Sequence, residues 1–147
     1  MTGIRKAGPE DLDAVRDVID AAFAGYVPLI GRRPAPMEAD HEAAIARGEV
    51  VVSGDPVIGV AVGRPDGDAW MIETVAVAPE AAGRGIGRAL VEWCEAEARR
   101  RGFGMMVLYT NAKMAANLAV WPRLGYVEVA RRVEDGFDRV FYEKRLE

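Results

Sequence analysis

Val75-Ala76-Val77-Ala78-Pro79-Glu80-Ala81-Ala82-Gly83-Arg84-Gly85-Ile86-Gly87-Arg88 is the stretch on which the reading of this chain turns. A Val-rich run ends at Pro79, three alternating glycines follow, and an amphipathic pattern begins. Ile86, Ala89, Leu90, Trp93 and Cys94 recur at helical spacing, which predicts a helix with a buried stripe that includes Trp93 and the lone cysteine. Arg99, Arg100, Arg101 and then Gly102 are the charge and cap expected at its C-terminal end, with the arginines in solvent. Free backbone N–H groups at the start of such a helix, with little side-chain bulk around them, suit a phosphate or pyrophosphate. Arg84 and Arg88 add positive charge at the same place. The Gly-Lys-Ser/Thr ending of a P-loop is absent. Gly83, Gly85 and Gly87 give G-x-G-x-G rather than the G-x-G-x-x-G of a dinucleotide site. Spacing alone also fits a plain glycine-rich strand-to-helix turn with solvated arginines.

Upstream, Val50 to Ser53, Val57 to Gly63 and Trp70 to Ala78 read as strands. Gly54-Asp55-Pro56 and Pro65-Asp66-Gly67-Asp68 are the turns between them. The third run is apolar on both alternating faces apart from Glu73 and Thr74, which predicts a central strand covered on both sides. Ile4 to Lys6 reads as a short opening strand. Gly8-Pro9-Glu10-Asp11 starts a helix whose apolar face is Leu12, Val15, Ile19, Ala22 and Phe23, and Gly25 ends it. Tyr26 to Met37 holds three prolines and Gly31 and is expected to be a loop. A second short helix is expected from Glu38 to Arg47.

Downstream come a strand, Met105 to Thr110, and a helix, Leu118 to Leu124, that Pro122 should shorten or kink. Tyr126 to Val133 and Arg139 to Arg145 read as strands joined through Asp135-Gly136. Strands and helices interleave, so the expectation is one α/β (α+β) domain over residues 1–147 with a single sheet.

Composition narrows the function. The 147 residues are 50% hydrophobic and 29% charged, ordinary for a globular chain. No apolar run reaches 18 residues, and the N-terminal segment lacks the apolar stretch of a signal peptide. Cys94 alone cannot form an internal disulfide, nor a zinc site with the single His41. The chain is therefore expected to be cytoplasmic, without metal and without a membrane partner. A net charge of −4 argues against a nucleic-acid partner.

Thr74 to Val91 resembles the acetyl-CoA-binding motif of the GNAT N-acetyltransferase superfamily. That motif is a strand reading V-x-V-x-P, then Arg/Gln-x-x-Gly-x-Gly/Ala opening a long helix. Gly85 and Gly87 match its two small positions, and Arg84 matches a residue common between them. Ala82 stands where the family has Arg or Gln. The order of elements is similar over nearly the whole chain, and Leu124-Gly125-Tyr126 is similar to the family's Leu-Gly-Phe. The resemblance implies a mixed, mostly antiparallel central sheet flanked by helices, with splayed central strands. It implies acetyl-CoA as co-substrate, held by Val75, Ala76, Val77, Ala82, Gly83, Arg84, Gly85, Ile86, Gly87 and Arg88.

It also implies direct attack of a primary amine, from a small molecule or a peptide, on the thioester. That chemistry needs a base, a polarised carbonyl and a proton for the leaving thiolate. Glu73, the one acidic side chain between Ala69 and Ala78, is the candidate base, acting through water. The family's frequent acid, a Tyr three residues before the Leu-Gly pair, falls on Trp121, whose indole is no useful acid. Tyr126, Tyr109 and Tyr142 are the remaining tyrosine candidates, and water or the ammonium product is the alternative. An Asn found in some members falls on Met114, while Asn111 and Asn117 lie near enough in sequence to contact the pantetheine arm or to serve as caps. The first two helices shape the acceptor pocket in the family, which makes Tyr26, Glu38, Asp40 and His41 acceptor-site candidates. A homodimer fits this reading. The rival is an acyl-CoA-binding or regulatory module with weak catalysis, suggested by Trp121.

Overall fold

The computed structural model describes residues 3–147. Its strands are β1 (Ile4–Lys6), β2 (Val50–Ser53), β3 (Gly59–Asp66), β4 (Ala69–Val77), β5 (Met105–Asn111), β6 (Val127–Glu134) and β7 (Phe137–Arg145). Its helices are α1 (Leu12–Phe23), α2 (Val27–Ile30), α3 (Ala35–Glu38), α4 (His41–Ala46), α5 (Ile86–Arg100) and α6 (Ala115–Arg123). The strand order is β1-β2-β3-β4-β5-β7-β6. β1–β2, β2–β3, β5–β7 and β6–β7 are antiparallel. The expected mixed α/β architecture with a mostly antiparallel sheet is what the chain adopts.

Two compact units divide the backbone. One comprises residues up to Arg64 together with Ile72–Cys94, the other Pro65–Met71 with Glu95–Glu147. In the first, the β-branched runs of β2 and β3 bury Val50, Val52, Val60 and Ala61 completely. α1 turns Val15, Val18, Ile19 and Phe23 inward at helical spacing. Its start is held by Asp11, which accepts from both Arg5 Nη atoms at 2.8 and 3.0 Å and from Gly8 N–H at 2.8 Å. The Arg5 bond and then the Gly8 bond pull the Asp11 carboxyl down to about 2.

In the second unit, β7 lies between β5 and β6. Met106, Leu108, Val140 and Tyr142 are buried there. The β6–β7 hairpin turns on Asp135 and Gly136, both at positive φ (53° and 81°), the primed turn that matches strand twist. β6 carries a bulge: Glu128 opposes Tyr142 and Ala130 opposes Phe141, leaving Val129 extra.

Four expectations need correction. Tyr26 to Met37 is not wholly loop, because α2 and α3 form there. Pro28 and Pro36 sit in their first turns, where a missing N–H costs nothing. The next helix starts at His41 rather than Glu38, because Asp40 caps it by accepting Ala43 N–H at 3.0 Å. β4 is covered on one face only. Trp70, Ile72, Thr74 and Ala76 are buried, while Met71, Glu73, Val75 and Val77 are half-buried. Trp93 is half-exposed rather than core, since its side chain lies beside the α5 stripe of Ile86, Leu90 and Cys94.

Candidate functional site

The loop between β4 and α5 is built by two residues that only glycine serves well. Gly83 and Gly85 adopt φ +83° and +76°, and a Cβ at either would meet open space. Their requirement is conformational, not steric. Gly87 differs: its φ is ordinary, and a Cβ there would lie 3.6 Å from Val77 Cγ2 and 3.9 Å from Val75 Cγ1. The first turn of α5 thus runs alongside the half-buried valines of β4. Ala89 N–H bonds back to Gly85 O at 3.0 Å. The N–H groups of Ile86, Gly87 and Arg88 therefore precede the helical ladder. Ala82, Gly83, Arg84, Gly85 and Arg88 are exposed. The Arg88 guanidinium contacts Glu92 at 3.5 Å. The turn is exposed, its donors stand at the positive end of a 15-residue helix, and two arginines flank it, an environment whose electrostatics favour negative charge.

What anchors that helix start is a residue the motif does not contain. A Cβ on Gly59 of β3 would fall 2.7 Å from Ile86 Cγ2 and 3.0 Å from Leu90 Cδ1. Ile86 is buried, so its side chain fastens α5 to β3 and only its backbone faces the loop. Gly59 stands in a run of valines that reads simply as strand. A glycine inside such a run, marking close approach of another element, was the available signal.

Glu73 sits two residues before Val75 on the same half-buried face of β4. Its side chain is 32% exposed and its Oε2 lies 3.5 Å from Arg64 Nε. Ala76, by alternation, is buried and can offer only its backbone.

Tyr126 has a different environment. It is 2% exposed and its hydroxyl donates to Glu95 Oε2 at 2.8 Å. Lys144 Nζ donates to both Glu95 oxygens (3.2 and 3.1 Å) and to Leu124 O at 2.9 Å. Trp121 packs edge-on against the Tyr126 ring, centroids 5.3 Å apart. The Tyr126 proton is thus committed to a buried cluster tying the α6–β6 turn to α5 and β7. Tyr142 is buried, and burial pushes its phenol above the ordinary value. Tyr109 is half-buried beneath the Arg139 guanidinium, 4.3 Å from its ring centre.

The other candidates carry local duties. Asn111 Oδ1 accepts Lys113 N–H at 2.9 Å, and Asn117 Nδ2 donates to Met114 Sδ at 3.5 Å. Glu38 pairs with Arg33 at 2.9 Å, and Asp40 caps α4. His41 is buried and its Nε2–H donates to Pro36 O at 2.8 Å. These bonds fold the segment from α2 to α4 upon itself. Tyr26 is half-exposed, its ring 6.4 Å from that of Phe23. Among the described residues no helix is long and apolar enough to cross a membrane.

Known structures share this fold. No curated protein matches the sequence significantly. A paia N-acetyltransferase from Thermoplasma acidophilum, solved with coenzyme A, superposes with a TM-score of 0.80 at 17% identity, covering 99% of each chain. The ribosomal-protein-S18-alanine N-acetyltransferase of Escherichia coli gives 0.76 at 22% identity, covering 99% of this chain and 94% of its own. yncA, a putative acetyltransferase from Salmonella typhimurium solved with acetyl-CoA, gives 0.72 at 24% identity, covering 100% and 95%. At these identities the likeness establishes the fold. The sequence model of the acetyltransferase (GNAT) family matches residues 15–126, which takes in β4, the glycine loop and α5, and the chain therefore belongs to the GNAT acetyltransferase family.

Proposed function

We propose that this protein is an N-acetyltransferase that moves an acetyl group from acetyl-CoA to a primary amine of a small molecule or a peptide by direct attack. The observation that carries the reading is the exposed Gly83–Arg88 turn. Left-handed glycines and the start of α5 leave free N–H groups beside two arginines. Structural relatives solved with coenzyme A or acetyl-CoA support the same ligand.

Acetyl-CoA supplies an activated thioester. Ile86, Gly87 and Arg88 N–H, with Arg84, would hold its pyrophosphate, and Ala82 contributes backbone only. The edge of Val75–Val77 would bond the pantetheine arm and the thioester carbonyl. Glu73 takes the amine proton through water, and Arg64 holds that carboxylate in place. Tyr126 has no part in the chemistry: its proton holds Glu95, so the leaving thiolate is protonated by water or by the ammonium product. On the acceptor side Tyr26 is retained, while Glu38 and His41 shape the segment that carries it.

Calorimetric titration with acetyl-CoA, against NAD and ATP as controls, tests the ligand. Selective micromolar binding is expected, and folded protein that fails to bind acetyl-CoA refutes the proposal. Thiol release across an amine panel then tests the chemistry. Glu73→Gln should lower kcat more than it weakens cofactor binding. A second reading, a binding module with weak catalysis, draws on Trp121 at the family's acid position. Saturable binding without thiol release for any amine selects it.

A further inference from the structure

Strand register sets two arginines against each other. Arg132 of β6 and Asn111 of β5 both stand opposite Arg139 of β7. Residues directly opposite share a sheet face, so the three form one row. Two positions along the same face, Ala130 and Tyr109 flank Phe141. Like charges directly opposite destabilise a strand pair, so something must hold them. The Arg139 guanidinium lies over the Tyr109 ring, 4.3 Å from its centre, and that of Arg132 over Phe141 at 3.8 Å. Glu134 accepts from Arg132 Nε–H at 2.8 Å and from Arg139 Nη1–H at 3.2 Å. Asp135 Oδ2 lies 3.6 Å from Arg139 Nη1. These contacts fix both guanidiniums without using up their donors. Among the described residues, Arg132 donates only through Nε and Arg139 only through Nη1. The remaining N–H groups of both, the Tyr109 hydroxyl and Asn111 Nδ2 make no hydrogen bond there. Every residue of the cluster lies in the unit formed by Pro65–Met71 and Glu95–Glu147.

We propose that this row is a binding site for the carboxylate of a small organic monoanion. A guanidinium edge matches the two oxygens of a carboxylate, and Glu134 already makes that contact from within the chain. A cationic group would face two guanidiniums. A dianionic phosphate would meet the Glu134 charge, which lies within 3.2 Å of both. A monocarboxylate gains the free donors with the least repulsion. Asn111 Nδ2 and the Tyr109 hydroxyl add neutral donors on the same face. Stacking on Tyr109 and Phe141 holds the guanidiniums in place before a ligand arrives, which lowers the ordering cost of binding. The carboxylate belongs either to the acceptor amine or to a separate ligand, and both present the same chemistry to this row.

The test is an NMR titration of the full chain, read on the Asn111 side-chain amide and the arginine Nε–H signals. Butyrate is the probe and butyramide its uncharged isostere. Butyrate is expected to shift these signals with roughly millimolar affinity, and butyramide to bind at least about tenfold more weakly. Arg132→Gln should weaken butyrate binding by about tenfold. Arg132→Lys should weaken it nearly as much, because an ammonium keeps the charge but not the fork. The Arg132 side chain is 54% exposed, so both variants are expected to fold, and circular dichroism verifies this. Inorganic phosphate should bind more weakly than butyrate. Unshifted signals, equal binding of butyramide, tighter binding of phosphate, or indifference to both Arg132 variants overturns the proposal. γ-Aminobutyrate then separates the two sources of the carboxylate. With acetyl-CoA present it is consumed where the site serves the acceptor, and it stays intact where the site serves a separate ligand. The binding readout needs no acetyl-CoA, so it stands or falls apart from the acetyl-transfer reading.

Discussion

Tyr126→Phe separates a structural role from a catalytic one. The substitution deletes a single oxygen and keeps the buried ring against Trp121. That oxygen donates at 2.8 Å to Glu95, a carboxylate 5% exposed. A hydrogen bond to a charged group contributes about 1.5–3 kcal/mol. Lys144 still contacts both Glu95 oxygens, at 3.2 and 3.1 Å, so the carboxylate is not abandoned and the lower half of that range applies. A loss of about 2 kcal/mol in a chain of this size lowers Tm by roughly 4–8 °C. Differential scanning calorimetry measures this, and steady-state acetyl transfer well below the new Tm measures the rest. The expectation is a lowered Tm with kcat within about twofold of wild type. A collapse of kcat with Tm unchanged would refute the assignment and restore Tyr126 as the acid. Lys144→Met should cost more, about 3–5 kcal/mol, because it leaves a buried carboxylate without its counter-ion.

Gly59→Ala should destabilise by about 1–3 kcal/mol through overpacking against Ile86 and Leu90, and should weaken acetyl-CoA binding with it. Unchanged melting and titration curves would show that α5 does not press on β3. Gly87→Ala should raise Tm, since a Cβ there meets only ordinary contacts and alanine favours the helix by up to about 1 kcal/mol. Gly85→Ala at φ +76° should lower Tm, and the two melting curves decide the pair. The Asp11 carboxyl, held near 2 in the fold against its usual 3.8, stabilises the protein above pH 3.8 and ceases to do so as pH falls through 2. The Tm gap between wild type and Asp11→Asn should therefore be constant above about pH 5 and narrow toward pH 2. A gap independent of pH would remove the Arg5–Asp11 pair from acid stability.

The elements with strong periodicity were legible from sequence. The apolar stripe of α5, the β-branched runs of β2 to β4 and the Asp135-Gly136 turn each have one cheap solution. The segment from Tyr26 to Met37 was not, because proline forbids a helix interior yet favours a helix start, and one residue of register separates the two. The glycine loop was legible as a strand-to-helix turn with its glycines at left-handed angles, because its shape lies in the backbone, which local sequence controls. Glu73 was legible as a carboxylate on β4, but its neighbour Arg64 was not, because strand pairing brings them together. The bond of Tyr126 to Glu95 was not legible for the same reason: Glu95 and Lys144, 31 and 18 residues away, decide what its hydroxyl contacts. His41 read as an acceptor-site candidate, and its burial and its bond to Pro36 were not legible, because the turn that closes around it is set by the fold.

Gly83 and Gly85 hold their left-handed angles as part of the fold, so the cradle proposed for the anion has its shape before a ligand arrives. Such a receptor pays little ordering entropy on association and needs no isomerisation before docking. Capture should then be a single bimolecular event, its observed rate constant rising in proportion to ligand concentration without a plateau. Differences among acyl donors would be written in how long each remains bound, not in how fast it is found.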